Sequence, residues 1–170
     1  MTSFQVIRCT FEQHGKRILE IFNDAILNST ALYEYKERTL QDVEKWFELK
    51  RSMQFPVIGL ENEHGILMGF VTYGAFRNFP AYVHTVEHSV YIHKEFRGCG
   101  LGRKLMEEII QEAKKNNIHV MIGGIDAQNE GSIRLHEKLG FRLVGTLPEV
   151  GFKFDRWLDL AFYQLILSNP

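Results

Sequence analysis

The chain has 170 residues, of which 45% are hydrophobic and 24% charged, and its formal net charge is −1. That suits one compact domain with a sizeable core, so 1–170 is read as a single domain. No basic excess points to nucleic acid and no apolar run approaches membrane-spanning length; the two cysteines, Cys9 and Cys99, form neither a disulfide framework nor a metal-binding spacing. Met1 to Gln5 lacks a charged start followed by an apolar stretch, so no signal peptide is expected, and a cytoplasmic protein with reduced thiols is the reading.

Phe4 to Cys9 alternates weakly and predicts a first strand. Ile18, Ile21, Phe22, Ala25 and Ile26 then fall on one helical face. Ser29 to Arg38 is aromatic and polar without a period, which predicts a loop. Thr39 is placed to cap a second helix whose Val43, Trp46 and Phe47 face inward. Pro56 to Leu60 and Ile66 to Phe76 read as strands joined by a turn at Asn62-Glu63-His64-Gly65. Arg77 to Tyr82 is a loop, and His84 to Ile92 alternates strictly as the next strand. Leu101, Leu105, Ile109 and Ala113 mark a third helix, and Ile118 to Ile125 an apolar strand. A short helix follows from Asn129 to Leu139, with Gly140 where a C′ glycine belongs. Phe141 to Leu147 and Leu158 to Leu167 read as the last strands. The order β-α-α-β-β-β-α-β-α-β-β predicts an α+β or mixed α/β fold around one sheet.

The strongest local signal is Arg97-Gly98-Cys99-Gly100-Leu101-Gly102-Arg103, which follows a strand and opens a helix. Glycines let backbone approach a ligand closely, and the first helical N–H groups carry partial positive charge. Together they suit a pyrophosphate, with Arg97 and Arg103 as added cationic donors. Arg103 stands where a dinucleotide fingerprint wants a third glycine, and Arg103-Lys104-Leu105 does not close a P-loop. A glycine-rich turn that binds nothing is the competing reading of the loop alone.

Arg97-x-x-Gly100-x-Gly102 resembles the Arg/Gln-x-x-Gly-x-Gly/Ala signature of the GNAT superfamily of N-acetyltransferases. Asn129-Glu130-Gly131-Ser132, running on to Gly140-Phe141, resembles a second signature of that superfamily. The strand His84 to Ile92 and the tail Gly151 to Asp159 are similar to the subgroup that acetylates phosphinothricin, methionine sulfone and methionine sulfoximine. The resemblance implies a mostly antiparallel central sheet, splayed at an acetyl-CoA site, with helices on both faces. It implies acetyl-CoA as co-substrate. Backbone groups of Val90, Tyr91 and Ile92 would lie along the pantetheine arm. Amides of Gly98, Cys99, Gly100, Leu101, Gly102 and Arg103 would hold the pyrophosphate. Asn129 and Ser132 would lie near the thioester end. It also implies a homodimer and a small-molecule amine acceptor. Many superfamily members carry Tyr where this chain has His136; the phosphinothricin subgroup has His there.

Acetyl transfer to an amine needs a proton acceptor, a polarised thioester and a stabilised leaving thiolate. Glu87 lies in an alternating strand and is the expected general base; a carboxylate satisfied by an Arg or by solvent is the alternative. His136 titrates near neutrality and would share base duty or protonate the thiolate; the alternative is a histidine on the helix surface. His84 and His88 are four apart, but the pattern is β, and no metal is expected. Cys99 in the phosphate loop has no base beside it and reads as a loop thiol. By the resemblance, Arg77, Phe79 and Tyr82 line the acceptor site, with Arg77 suited to a carboxylate. Tyr33 would cover the acceptor side chain or pack in the core. Two other readings stand: a different amine acceptor (peptide N-terminus, polyamine or aminoglycoside), or a non-catalytic acyl-CoA sensor.

Overall fold

A computed structural model describes residues 4–167. Residues 1–3, part of the stretch searched for a leader, lie outside the described residues, as do 168–170. Among the described residues the strands are β1 Phe4–Arg8, β2 Val57–Asn62, β3 Leu67–Ala75, β4 Thr85–Ile92, β5 Val120–Asp126, β6 Arg142–Lys153 and β7 Arg156–Ile166. The α-helices are α1 Phe11–Asn28, α2 Leu40–Ser52, α3 Leu101–Lys115 and α4 Glu130–Lys138. The class is mixed α+β, as the element order predicted. The chain divides into two compact units. One runs to Tyr73 and adds Ser89–Ile109; the other holds Gly74–His88 and the chain from Ile110 onward. Strand β4 and helix α3 contribute to both.

In the first unit the strand order is β1-β2-β3 and then the second half of β4. The β1–β2 and β2–β3 pairs are antiparallel. Thr10 caps α1, its side chain accepting from the Gln13 N–H. Thr39 caps α2, as the sequence pattern anticipated, and completes a capping box with Asp42. Ile18, Ile21, Phe22 and Ala25 of α1 are buried with Val43 of α2 and with Leu67, Phe70 and Tyr91 of the strands. Phe22 meets Trp46, Phe70 and Tyr91 edge-on at centroid distances of 5.3, 5.2 and 5.3 Å. Each such fully buried large apolar side chain contributes about 1.5–3 kcal/mol. This cluster fixes the second half of β4, which leads into the glycine loop.

In the second unit the order is the first half of β4, then β5-β7-β6. Thr85, Val86 and Glu87 run parallel to Val120, Met121 and Ile122, while β5–β7 and β7–β6 are antiparallel. Asn129 caps α4 through the Ser132 N–H, and Gly140 takes φ +90° where a C′ glycine was expected. Strand β6 is longer than its sequence suggested. It continues through Pro148 to Lys153 and turns at Phe154 and Asp155, both in the left-handed region at φ 53° and 56°. A hairpin whose two turn residues both have positive φ follows the twist of its strands. Pro148 is tolerated because β6 ends the strand order and its pairing with β7 shifts register between Leu147 and Gly151.

Candidate active site

The glycine loop belongs to the first unit. Gly98 and Gly100 sit at φ +78° and +77°, and a Cβ built on either would meet no atom within 4 Å. Their requirement is therefore conformational, and the space beside them is open. Helix α3 begins at Leu101, and the Lys104 N–H reaches back to Gly100 O at 3.4 Å. The N–H groups of Leu101, Gly102 and Arg103 consequently have no carbonyl within the helix. No acidic residue stands in that first turn to neutralise the positive end of the helix. Backbone of this kind fits a pyrophosphate.

The two loop arginines are already engaged. Arg97 Nε donates to Ile92 O at 3.2 Å, and its Nη2 pairs with Asp24 at 2.5 Å. Arg103 Nε pairs with Glu107 at 2.8 Å. Arg97 thus clasps the loop to the end of β4 and to α1. Cys99 is exposed, with Sγ 3.7 Å from Arg97 O. Upstream, Tyr91 is buried while Val90 and Ile92 are half-buried. Strand β3 passes so close to them that a Cβ on Gly69 would lie 2.7 Å from Tyr91 O. Tyr33, between α1 and α2, is 38% exposed and so is not a core aromatic.

The titratable groups belong to the second unit, and β5 explains how they fit. Its centre is Gly123-Gly124. A Cβ on Gly124 would lie 3.0 Å from Glu87 Oε1, and one on Gly123 would lie 2.7 Å from His88 Nε2 and 3.2 Å from His136 Nε2. Neighbouring residues of a strand point to opposite faces. The two glycines thus make room for Glu87 on one face of the sheet and for a histidine pair on the other. Mid-strand glycines mark close approach by another group, and at Gly123 that group is His88, which the sequence offers only as half of a His84/His88 pair.

Glu87 is half-buried and has no hydrogen bond or ion pair among the described residues. Burial pushes its carboxyl above the ordinary carboxylate range. His136 is 1% exposed and so is not a surface histidine. Its Nδ1 lies 2.7 Å from Ser132 O, and its Nε2 lies 2.9 Å from His88 Nε2. Phe141 meets both rings edge-on. Burial lowers the pKa of each histidine, the His136 charge adding to the effect at His88 and the Ser132 carbonyl opposing it at His136. Burial thus favours the neutral form of both rings.

The loop before β4 presents Arg77, Phe79 and Tyr82 at the surface. The Arg77 guanidinium lies 5.5 Å from the Phe76 ring and has no ion pair among the described residues. Asn129 spends its side-chain oxygen on the Ser132 N–H at 3.1 Å. His84 Nδ1 is 2.9 Å from Asn117 O. Among the described residues no group of three or more His, Cys, Asp or Glu side chains could hold a metal, and no helix is long and apolar enough to cross a membrane.

A family model described as the acetyltransferase (GNAT) family matches residues 17–141. An L-methionine sulfoximine/L-methionine sulfone acetyltransferase of Salmonella typhimurium is 43% identical over 152 residues, 89% of this chain and 88% of the relative. A solved GNAT superfamily phosphinothricin acetyltransferase from Sinorhizobium meliloti, in complex with acetyl-CoA, superposes with TM-score 0.94 at 33% identity. The match covers 99% of this chain and 90% of that one. A ribosomal-protein-alanine N-acetyltransferase from Brucella melitensis superposes with TM-score 0.93 at 41% identity, over 96% of this chain and 99% of that one.

Proposed function

From the premise that this chain belongs to the GNAT acetyltransferase family and is an acetyl-CoA-dependent N-acetyltransferase, we propose that its acceptor is the α-amino group of a small L-amino acid or analogue. Methionine sulfone, methionine sulfoximine and phosphinothricin are the first candidates. The observation that carries this reading is the 43% identity, across nearly nine-tenths of the chain, to a relative that acetylates the first two.

Acetyl-CoA supplies an acetyl thioester. The free amides from Gly98 to Arg103 hold its pyrophosphate, and backbone of Val90, Tyr91 and Ile92 lies along the pantetheine arm. Glu87 removes a proton from the acceptor ammonium. Nitrogen then forms the new C–N bond as the C–S bond breaks, and the leaving thiolate takes up a proton. A half-buried carboxylate without a partner supports the base assignment, since its raised pKa brings it toward the working pH. Asn129 and Ser132, at the start of α4, bear on the thioester end, and His136 acts through that same segment. An acceptor screen with acetyl-CoA, reading free thiol release, tests the reading. No turnover with any amino acid would overturn it.

Arg77 is the proposed anchor of the acceptor carboxylate, because it is an exposed guanidinium without an acidic partner among the described residues. Phe79 and Tyr82 flank the acceptor from the same loop, and Tyr33 covers its side chain. A bidentate Arg–carboxylate pair cannot be reproduced by Lys. Arg77→Lys should therefore raise KM for methionine sulfone about tenfold, the weight of one lost charge-assisted bond, and change KM for its amide much less. Equal losses would make Arg77 structural. A second reading has its own support in the likeness to the ribosomal-protein-alanine enzyme. A wild type that prefers amides or peptides to free acids would favour it.

The protein is also read as a homodimer. Strand β6 exposes Leu143, Val144, Leu147 and Val150, and β7 exposes Trp157. An end strand that carries several exposed large apolar side chains suits pairing with a second copy of the chain. Light scattering should give twice the 19.8 kDa of the chain, and a monomer at micromolar concentration would overturn the assignment.

A further inference from the structure

Two imidazoles are buried together behind the strand that carries Glu87, and their hydrogen bonds settle where the protons are. Ser132 O can only accept, so His136 Nδ1, 2.7 Å away, carries the proton. In a neutral ring Nε2 is then a bare acceptor. The 2.9 Å contact to His88 Nε2 needs one proton between the nitrogens, and it must come from His88. His88 Nδ1 is consequently bare as well. It is buried without a hydrogen-bond partner, and it is the one buried side-chain polar atom so placed among the described residues. The opposite arrangement, with the proton on His136 Nε2, would leave a charged His136 beside an N–H of His88 buried without an acceptor. That costs more than a buried lone pair, because a charge loses far more hydration on burial.

The bond has a long reach in the chain, joining residues 48 apart. On one side is the residue next to Glu87. On the other is α4, in which His136 Nδ1 holds Ser132 O and the Ser132 N–H holds Asn129 Oδ1. Gly123 leaves the space that both rings occupy. We propose that His88 is a positioning residue for acetyl transfer: its Nε2–H holds His136 in the Nδ1–H form and fastens the start of α4 to the strand carrying Glu87. The inference rests on the reading of Glu87 as base and of Asn129 and Ser132 as thioester contacts. His88 touches no reacting atom and acts through His136 and the strand.

The test uses the full chain and two substitutions. Nitrogen-15 spectra of the histidine rings in the wild type should show two neutral imidazoles, protonated at His136 Nδ1 and at His88 Nε2. His88→Gln keeps an N–H donor near the Nε2 position and should retain both the His136 pattern and most of the rate with methionine sulfone. His88→Phe fills similar space without a donor. It should shift the His136 ring signals and lower kcat about tenfold, the scale of a small misplacement of reacting groups. KM for acetyl-CoA should change less, because the pyrophosphate amides lie in the other unit. The inference is overturned by a wild-type His136 carrying its proton on Nε2, or by His88→Phe with normal kcat and unshifted rings. If His88→Phe does not fold, the wild-type spectrum and the rate of His88→Gln still decide. Failure of the function reading looks different, as a wild type inert toward every amino-acid acceptor with its ring-nitrogen pattern intact.

Discussion

Gly100→Glu should abolish acetyl-CoA binding while leaving the protein folded. Gly100 holds φ +77°, so any L side chain there is strained by about 1–2 kcal/mol. That is a small part of the roughly 5–15 kcal/mol by which a domain is stable. A carboxylate at the start of α3 recovers about 0.3–1 kcal/mol from the helix dipole. A Cβ at this position meets nothing within 4 Å, so the added side chain enters open space without disturbing the core. In the bound state that space is the proposed pyrophosphate site. One unit charge about 4 Å from another costs about 4 kcal/mol at an effective dielectric constant near 20. The dissociation constant should therefore rise about a thousandfold. Gly100→Asn separates the two effects, because Asn tolerates the left-handed region and brings no charge. Calorimetry should show Gly100→Asn weakened modestly and Gly100→Glu without measurable heat, both with wild-type circular dichroism. Unchanged affinity in a folded Gly100→Glu protein would remove the loop from the cofactor site.

The parts of this site that were legible in the sequence are those made by neighbours in the chain. The glycine loop, the Thr39 cap and the C′ glycine at 140 each follow from residue type at fixed short spacing. The parts that were not legible depend on contacts between distant segments. Arg97 pairs with Asp24, 73 residues away, a contact that nothing in its own stretch of sequence reveals. His136 could be read as a surface residue because nothing near it in sequence reveals His88. Alternation in β4 did set His88 on the face opposite Glu87, but only the packing of α4 shows what that face meets. The sequence predicts that strand only to Leu147, whereas β6 runs on through Pro148 and Gly151 to Lys153. An end strand with a register shift accommodates both.

Glu87→Gln should lower kcat/KM about a hundredfold or more, the usual weight of a positioned general base. Gln fits the same space beside Gly124, so any loss reports basicity rather than shape. The pH dependence makes the assignment sharper. The base must be ionised to work, so the rate should rise with pH as the Glu87 carboxyl loses its proton. Burial holds that step above the ordinary carboxylate range, and the acidic limb should lie there and vanish in Glu87→Gln. Stability runs the other way. Between the ordinary carboxylate pKa and the raised native one, the folded state binds more protons than the unfolded state. Stability therefore falls as pH rises through that window, and the cost persists above it. Gln carries no charge to desolvate, so Glu87→Gln should be at least as stable as the wild type at neutral pH. Lost rate with an unchanged or raised Tm is the signature of a strained functional group. Lost rate with a lowered Tm would mark Glu87 as a structural residue. A near-normal rate with the acidic limb intact would pass the proton to water, since both His136 ring nitrogens are engaged.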